Sequence, residues 1–197
     1  MLKRIFDILF SFFALLLFSP FFILISLLVL FSGKGGVFFF QIRVGKGNKD
    51  FKMFKFRTMA PGSEKKGQLT VGARDSRITK VGYYLRKFKV DEVPQLINVL
   101  IGDMSVVGPR PEVRRYVNLY TPEQLRVLTV KPGITEWASL NFFDENEILA
   151  KSSDPEKTYI EEIMPLKLKA NLEYVDRHSL GTDLKIIVKT VGRIFGV

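Results

Sequence analysis

In the stretch KVDEVPQLINVLIGDMSVVGPRPE, residues 89–112, two adjacent acids, Asp91 and Glu92, precede Pro94 and an apolar body of Leu96, Ile97, Val99 and Leu100. This pattern predicts a helix starting at Asp91, with the proline in its first turn, where a missing N–H is tolerated. Two readings of the acids follow. In one, Asp91 is an N-cap and Glu92 a first-turn acid favoured by the helix dipole. In the other, an acid attacks phosphorus while the exposed N–H groups of the helix end hold phosphate oxygens. Spacing alone does not choose between them. Gly108-Pro109-Arg110-Pro111 follows, and prolines on both sides of Arg110 stiffen the backbone that carries its guanidinium. That suits bidentate contact with phosphate, and equally a rigid loop with a solvated arginine.

Thirty Lys and Arg stand against 20 Asp and Glu, a formal net charge of +10. Anionic partners are therefore expected: nucleic acid, acidic lipid headgroups or a phosphorylated small molecule. Cysteine is absent, which excludes disulfides, thiolate metal ligands and cysteine nucleophiles. His178 is the only histidine. A multi-histidine zinc site is thus excluded, a Ser-His-Asp triad would have to use this residue, and its turn-like DRHSLG setting reads as structural. No P-loop or glycine-rich dinucleotide motif is present. A length of 197 residues suits one domain with an appended segment.

The appended segment is N-terminal. Residues 8–31 carry no charge, and as a helix they would extend about 36 Å against a bilayer core of about 30 Å. Lys3 and Arg4 precede the run, and Lys34, Arg43, Lys46, Lys49, Lys52, Lys55 and Arg57 follow it. Both flanks carry the positive charge of the cytoplasmic side, so both ends are expected on one side. Ser19-Pro20 divides the run into Ile8–Phe18 and Pro20–Phe31, arms of about 16–18 Å each, half a bilayer. Proline removes a backbone donor, and the Ser19 hydroxyl can satisfy the carbonyl so freed. We read a re-entrant helix over residues 1–32, broken at Ser19-Pro20, with a catalytic or binding domain over residues 33–197; the ordinary alternative is one kinked spanning helix.

In that domain, residues 37–44 and 51–59 read as a short basic β-hairpin around GKGNKD, and residues 60–76 as a loop. Ile78, Val81, Leu85 and Phe88 recur at helical spacing. The C-terminal TDLKIIVKTVGRIFGV sets Leu184, Ile187, Val188, Val191 and Ile194 against Lys185, Lys189 and Arg193. This is an amphipathic helix suited to an anionic membrane surface or to packing on the core. The fold class expected is α/β, mainly α: a re-entrant membrane helix-break-helix, a basic hairpin and membrane-surface amphipathic helices around a small cytoplasmic catalytic domain.

The motif run Asp91-Glu92-Val93-Pro94-Gln95-Leu96, Asn98-Val99-Leu100, Gly102-Asp103-Met104-Ser105 and Val107-Gly108-Pro109-Arg110-Pro111 closely resembles the bacterial sugar transferase family, the monotopic phosphoglycosyl transferases. Lys55-Phe56-Arg57-Thr58-Met59, Arg77-Ile78-Thr79, Leu85-Arg86-Lys87, Lys131-Pro132-Gly133-Ile134-Thr135 with Trp137, and Asp183-Leu184-Lys185-Ile186 extend the resemblance over nearly the whole chain. It implies transfer of a sugar 1-phosphate from a UDP-sugar to a polyprenol phosphate, with release of UMP, at the cytoplasmic face of a bacterial inner membrane. It also implies Asp91 as nucleophile, Glu92 as its partner acid, and Mg²⁺ as cofactor with Asp91 as a ligand. Arg86 and Arg110 are implied donor-binding residues, with Lys55, Arg57 and Arg77 as weaker candidates, since a basic hairpin also attracts anionic lipids. Asp103 reads as a turn residue. The resemblance breaks at Glu136-Trp137-Ala138-Ser139-Leu140-Asn141-Phe142, where members commonly read Gly-Trp-Ala-Gln-Val-Asn-Gly, which leaves the donor sugar open. Other glycan-pathway enzymes are possible partners, and no nucleic acid is expected. A basic nucleic-acid binder or a non-catalytic membrane scaffold would each leave the ordered acidic motif idle.

The broken helix is directly testable in a chain with no native cysteine. With L2C as the sole thiol, a cytoplasmic maleimide should label residue 2, and combining Ser19→Ala with Pro20→Leu should straighten the segment and protect it. Unchanged labelling of the double variant would contradict the role given to Ser19-Pro20.

Overall fold

The computed structural model describes residues 1–63, 75–138 and 145–195. Helix α1 runs through Leu2–Phe31 with Pro20 inside it, so one continuous helix stands where two arms separated by a break were expected. The physical reason lies at Ser19. Pro20 has no N–H for the carbonyl of Leu16, and the Ser19 hydroxyl donates to that oxygen at 2.8 Å, so the lost bond is replaced within the helix.

Both halves of α1 touch the same domain. Near its start, Lys3 donates to the Val107 carbonyl at 3.1 Å and pairs with Asp183, and Arg4 donates to the carbonyls of Val99 and Leu100. Asp7, buried, accepts from the Ser105 hydroxyl at 2.9 Å and the Val106 N–H at 3.1 Å. Near its end, Val29 is buried with Phe56 and Leu85, and the Phe22 ring lies 4.8 Å from that of Phe56. Arg57 donates to the carbonyls of Val29, at 2.7 Å, Gly33, at 2.9 Å, and Lys34, satisfying groups that a helix end leaves open. Between these anchors Leu16, Leu17, Phe21, Ile23 and Leu24 are exposed.

Strands β1 (Phe38–Val44) and β2 (Asp50–Phe56) form the expected hairpin, antiparallel with Phe38 opposite Phe56 and Val44 opposite Asp50. Of the expected loop, Ala60–Ser63 forms a turn and residues 64–74 lie outside the described residues. Helix α2 (Lys80–Lys87) is capped by Thr79, whose hydroxyl accepts from the Gly82 N–H. A Cβ on Gly82 would stand 2.1 Å from the Thr58 carbonyl oxygen, so glycine is what lets α2 lie against the chain that leaves β2.

The helix expected from Asp91 begins later. Lys89 adopts φ 57°, a 3₁₀ turn covers Val90–Glu92, and α3 runs Gln95–Ile101. Asp91 is therefore no N-cap: the tighter turn carries both acids ahead of the helix. Asn98, fully buried, ties α3 to β2 by donating to the Lys52 carbonyl and accepting from the Phe54 N–H. Strand β3 (Ser105–Val107) pairs in parallel with β4 (Gly133–Thr135), after the short α4 (Arg114–Val117). Helices α5 (Glu145–Lys151), α6 (Pro155–Thr158), α7 (Met164–Arg177) and α8 (Leu180–Phe195) follow, with a π turn at Tyr159–Ile163 leading into α7. Among the described residues the fold is mainly helical with two small two-stranded sheets. One core joins Tyr116, Leu149, Tyr159 and Leu168; another joins Met53, Val99, Met104, Val107 and Ile186. In helix α8, Ile186 is buried in the core, as the packing alternative expected, while Leu184, Val188 and Val191 form an exposed apolar stripe.

Replacing Arg57 with Met keeps its length but removes every bond to the end of α1. At about 1.5–3 kcal/mol for a hydrogen bond to a charged group, less the relief of a buried guanidinium, the loss should be about 2–4 kcal/mol. In lipid nanodiscs that corresponds to a fall in Tm of about 5–15 °C. Arg57→Lys should not restore it, because one ammonium cannot span three carbonyls; an unchanged Tm would contradict the capping role.

Candidate active site

Asp91 and Glu92 are both buried, at 6% and 8% exposure, and they differ in what meets them. Glu92 accepts from Lys55 at 2.8 Å and from both terminal nitrogens of Arg110, at 2.5 and 3.3 Å. No hydrogen bond or ion pair meets the Asp91 carboxylate among the described residues. Arg86 approaches from α2, its Nε donating to the Thr58 hydroxyl at 2.9 Å. Four elements thus converge: β2 brings Lys55, α2 brings Arg86, the 3₁₀ turn brings the acids, and the chain beyond β3 brings Arg110.

These contacts push the two acids in opposite directions. Burial, and then the charge of Glu92, raise the Asp91 carboxyl above its ordinary range, against Lys55 and Arg86. Burial also acts to raise Glu92, but Arg110 and Lys55 together outweigh it and hold that carboxyl well below the usual range. Burial lowers Lys55, which Glu92 opposes, and lowers Arg86, which Asp91 opposes. The product is one saturated carboxylate and, beside it, one carboxylate free for chemistry.

Both acids line a cavity of about 1220 Å³ that reaches from Phe10, Ala14 and Phe18 of α1 past Lys55, Arg86 and Arg110. That exceeds the roughly 300–1,000 Å³ of ordinary small-molecule pockets, and its wall runs from lipid-like to cationic. Among the described residues no cluster of three or more His, Asp or Glu side chains is arranged to hold a metal. Mg²⁺, however, commonly takes one or two carboxylates with the remaining positions on substrate phosphates and water, and the partner-free Asp91 fits that requirement.

Arg57 and Arg77 also line this cavity, but they and the other sequence candidates bond groups away from the acid pair. Arg57 caps α1, and Arg77 forms a fork with Asp75 at 2.6–3.1 Å. Asp103 sits in the turn after α3, its N–H donating to the Asn98 carbonyl. Trp137 is partly buried against the core, with the ammoniums of Lys185 and Lys189 at 5.8 and 5.6 Å from its ring centre. His178 is exposed, its Nδ1 2.9 Å from the Val175 carbonyl. Ser139 to Phe142 of the divergent segment lie outside the described residues. Sequence reasoning missed two polar groupings on the cavity wall. Glu112 accepts from Arg43 at 2.6 Å and from the Tyr159 hydroxyl, and Glu136 accepts from the Arg110 N–H. Only the long-range packing of the fold brings these partners together, and neither acid stands in a periodic pattern that would have marked it.

A buried acid pair, one member neutralised by cations and the other without a bonded partner among the described residues, in a cavity walled partly by an apolar helix, suits the handling of anions beside an apolar surface. The chain belongs to the bacterial sugar transferase family, whose sequence pattern matches residues 1–196. Among its relatives, a UDP-N-acetylgalactosamine-undecaprenyl-phosphate N-acetylgalactosaminephosphotransferase of Aeromonas hydrophila is 38% identical over 98% of this chain and 43% of its own length. The UDP-glucose:undecaprenyl-phosphate glucose-1-phosphate transferase of Escherichia coli is 39% identical over 99% of this chain and 40% of its own length. The uncharacterized sugar transferase EpsL of Bacillus subtilis is 39% identical over 98% of this chain and 87% of its own length. The chain thus spans less than half of the first two relatives and most of the third.

As pH falls, Asp91 should take up its proton at a midpoint above the ordinary aspartate value, while Glu92 stays ionised to much lower pH. Glu92→Gln removes a negative neighbour and releases Lys55 and Arg110 toward Asp91, and both changes favour the ionised form, so the Asp91 midpoint should move down. Infrared titration of ¹³C-carboxyl aspartate, with Asp91→Asn identifying the band, checks both directions. An upward move in Glu92→Gln would contradict this charge arrangement.

Proposed function

We propose that the chain transfers a sugar 1-phosphate from a nucleotide diphosphate sugar, a UDP-sugar, to a polyprenol phosphate, giving a polyprenyl diphosphate sugar and UMP. Membership of the family and the reactions printed in the names of two relatives support the reaction class. The observation that carries it to particular residues is the asymmetry of the acid pair: Glu92 is saturated by Lys55 and Arg110, and among the described residues no bond meets Asp91.

In this reading an Asp91 oxygen attacks the phosphorus attached to the sugar. The bond from that phosphorus to the bridging oxygen breaks, and UMP leaves with the electron pair. A phosphate oxygen of the polyprenol then attacks the same phosphorus and releases Asp91, so donor and acceptor use one site in turn. Lys55, Arg86 and Arg110 set three positive charges against the two acids, a net of +1 at the centre that receives the diphosphate. Arg110 and Arg86 orient phosphate, and Glu92 keeps Lys55 and Arg110 from pairing with the nucleophile. Arg57 and Arg77 serve the frame of the cavity rather than the substrate. Mg²⁺ held by Asp91 and substrate phosphates would supply further positive charge to the diphosphate oxygens.

The setting is the cytoplasmic face of the bacterial inner membrane. Both halves of α1 are tied to one domain, through Lys3, Arg4 and Asp7 at one end and Phe22, Val29 and Arg57 at the other. A helix with its two ends on opposite sides of a bilayer could not meet both sets of partners. This supports a continuous helix, bent about Pro20, whose middle dips into one leaflet while both ends stay at its surface. The exposed stripe Leu184, Val188 and Val191, flanked by Lys185 and Lys189, suits α8 to the surface of anionic lipids.

Incubation with Mg²⁺ and a panel of UDP-sugars, without lipid acceptor, should add one phosphosugar to the intact mass and release UMP. Asp91→Asn should abolish the adduct while membrane association is retained, and polyprenol phosphate should discharge it from the wild type. UMP that appears only when lipid is added, with no adduct at any time, would replace the two-step route by direct transfer.

A further inference from the structure

We propose that Glu136 is a positioning residue for this site: its buried carboxylate holds the backbone of Arg110 and thereby sets where the Arg110 guanidinium meets Glu92. Pro109 and Pro111 have no N–H, so the Pro-Arg-Pro stretch offers a single backbone donor, that of Arg110. Glu136 takes it, its Oε2 accepting from the Arg110 N–H at 3.0 Å. The same oxygen accepts from Asn171 of α7 at 2.8 Å, and Lys167, one helical turn earlier, has its ammonium 3.9 Å from Oε1. Glu136 is 2% exposed and Asn171 4%, so this is a built interior contact.

The neighbouring backbone explains why one bond matters. The Gly108 N–H donates to the Thr135 carbonyl at 3.0 Å, and the Gly133 N–H donates to Pro109 at 2.9 Å. A Cβ on Gly133 would stand 2.1 Å from the Gly108 nitrogen, so the chain beyond β3 is pressed directly on β4. Past Pro109 this ladder stops, and Glu136, the first residue after β4, continues it with a side chain. Beyond that point the Arg110 side chain departs toward Glu92, where both of its terminal nitrogens bond. Rotating the Arg110 peptide would withdraw the guanidinium, leave Glu92 with Lys55 alone, and turn Lys55 and the free charge of Glu92 toward Asp91.

The catalytic consequence rests on the sugar-phosphate transfer proposed above, and the test separates the two. Glu136→Ala removes the acceptor; Glu136→Gln keeps a carbonyl oxygen able to accept from both donors. In single-turnover formation of the phosphosugar adduct, Glu136→Ala should be slower by about 100-fold, the scale of a misplacement near 1 Å. Glu136→Gln should lie within about fivefold of wild type, since it keeps a neutral form of the same bond. In Glu136→Ala the Arg110 amide, which Glu136 holds, should lose its protection from hydrogen exchange while the amides of β3 and β4 keep theirs; a general loss of packing would expose all of them. A Glu136→Ala rate equal to wild type, or equal losses in the two variants, would overturn the proposal. Should Glu136→Ala fail to fold, Asn171→Ala decides: a slower rate with faster hydrogen exchange at the Arg110 amide supports the clamp, and unaltered values overturn it. A wild type that releases no UMP from any donor would overturn the transferase reading, while exchange at the Arg110 amide would still report on the clamp.

Discussion

A carboxylate as deeply buried as Glu92 is tolerable only with opposite charge in contact, and Lys55 and Arg110 supply it. That requirement reaches through the whole domain. Lys55 arrives from a strand, where a slip of one residue would turn it to the opposite face. The register is held by Asn98, whose amide bonds the backbone of β2 on both sides of Met53. Arg110 arrives from the end of β3, pinned backbone to backbone against β4. Neither sheet has more than two strands, and each positions one of the cations that Glu92 requires.

The same strand connects the site to α1. Lys3 donates to the Val107 carbonyl, and the Tyr174 hydroxyl reaches that oxygen while also donating to Asp183. Asp7 holds Ser105 and Val106 of β3. The first turns of α1 therefore brace β3, whose next residues are Gly108, Pro109 and Arg110. At the other end Arg57, two residues beyond Lys55, closes the helix. One apolar helix touches the supports of both cations, so its placement and the geometry around Glu92 are one problem. Its exposed middle is a continuous apolar surface far beyond a scattered surface leucine, the kind of patch that marks a lipid or partner contact.

Periodicity and turn chemistry made the hairpin, α2 and α8 legible, because each has its pattern within its own residues. The start of α3 was misread for a local reason: Asp91 and Pro94 satisfy every preference of a helix start, yet Lys89 at φ 57° diverts the chain into a 3₁₀ turn first. Motif and resemblance named Asp91, Glu92, Arg86, Arg110 and Lys55, which the fold gathers at one cavity. Arg57 stood among the same basic residues, and no local signal separated it from them. Its partners are carbonyls at the end of a helix 23–28 residues earlier, and only the tertiary fold sets that pairing. Glu112 was silent for the same reason, and Glu136 stood out only as a departure from the family's pattern, with nothing in the sequence to name its partners. A lone acid acquires meaning from what it faces.

The two acids share a backbone turn and a cavity, and they diverge through reach and direction. Glu92, longer by one methylene, ends between two cations that arrive from different elements; Asp91 ends short of any of them. Had both been saturated, neither would offer an oxygen to a phosphorus. Had both been bare, their mutual repulsion in a buried setting would favour protonation of one, and the cations would be drawn onto the other. Saturating Glu92 lessens this conflict without removing it, since the charge of Glu92 still raises Asp91: it fixes Lys55 and Arg110 near Asp91 without a bond to it. Positive charge then surrounds the bare acid, as the anionic substrate proposed for this site would require.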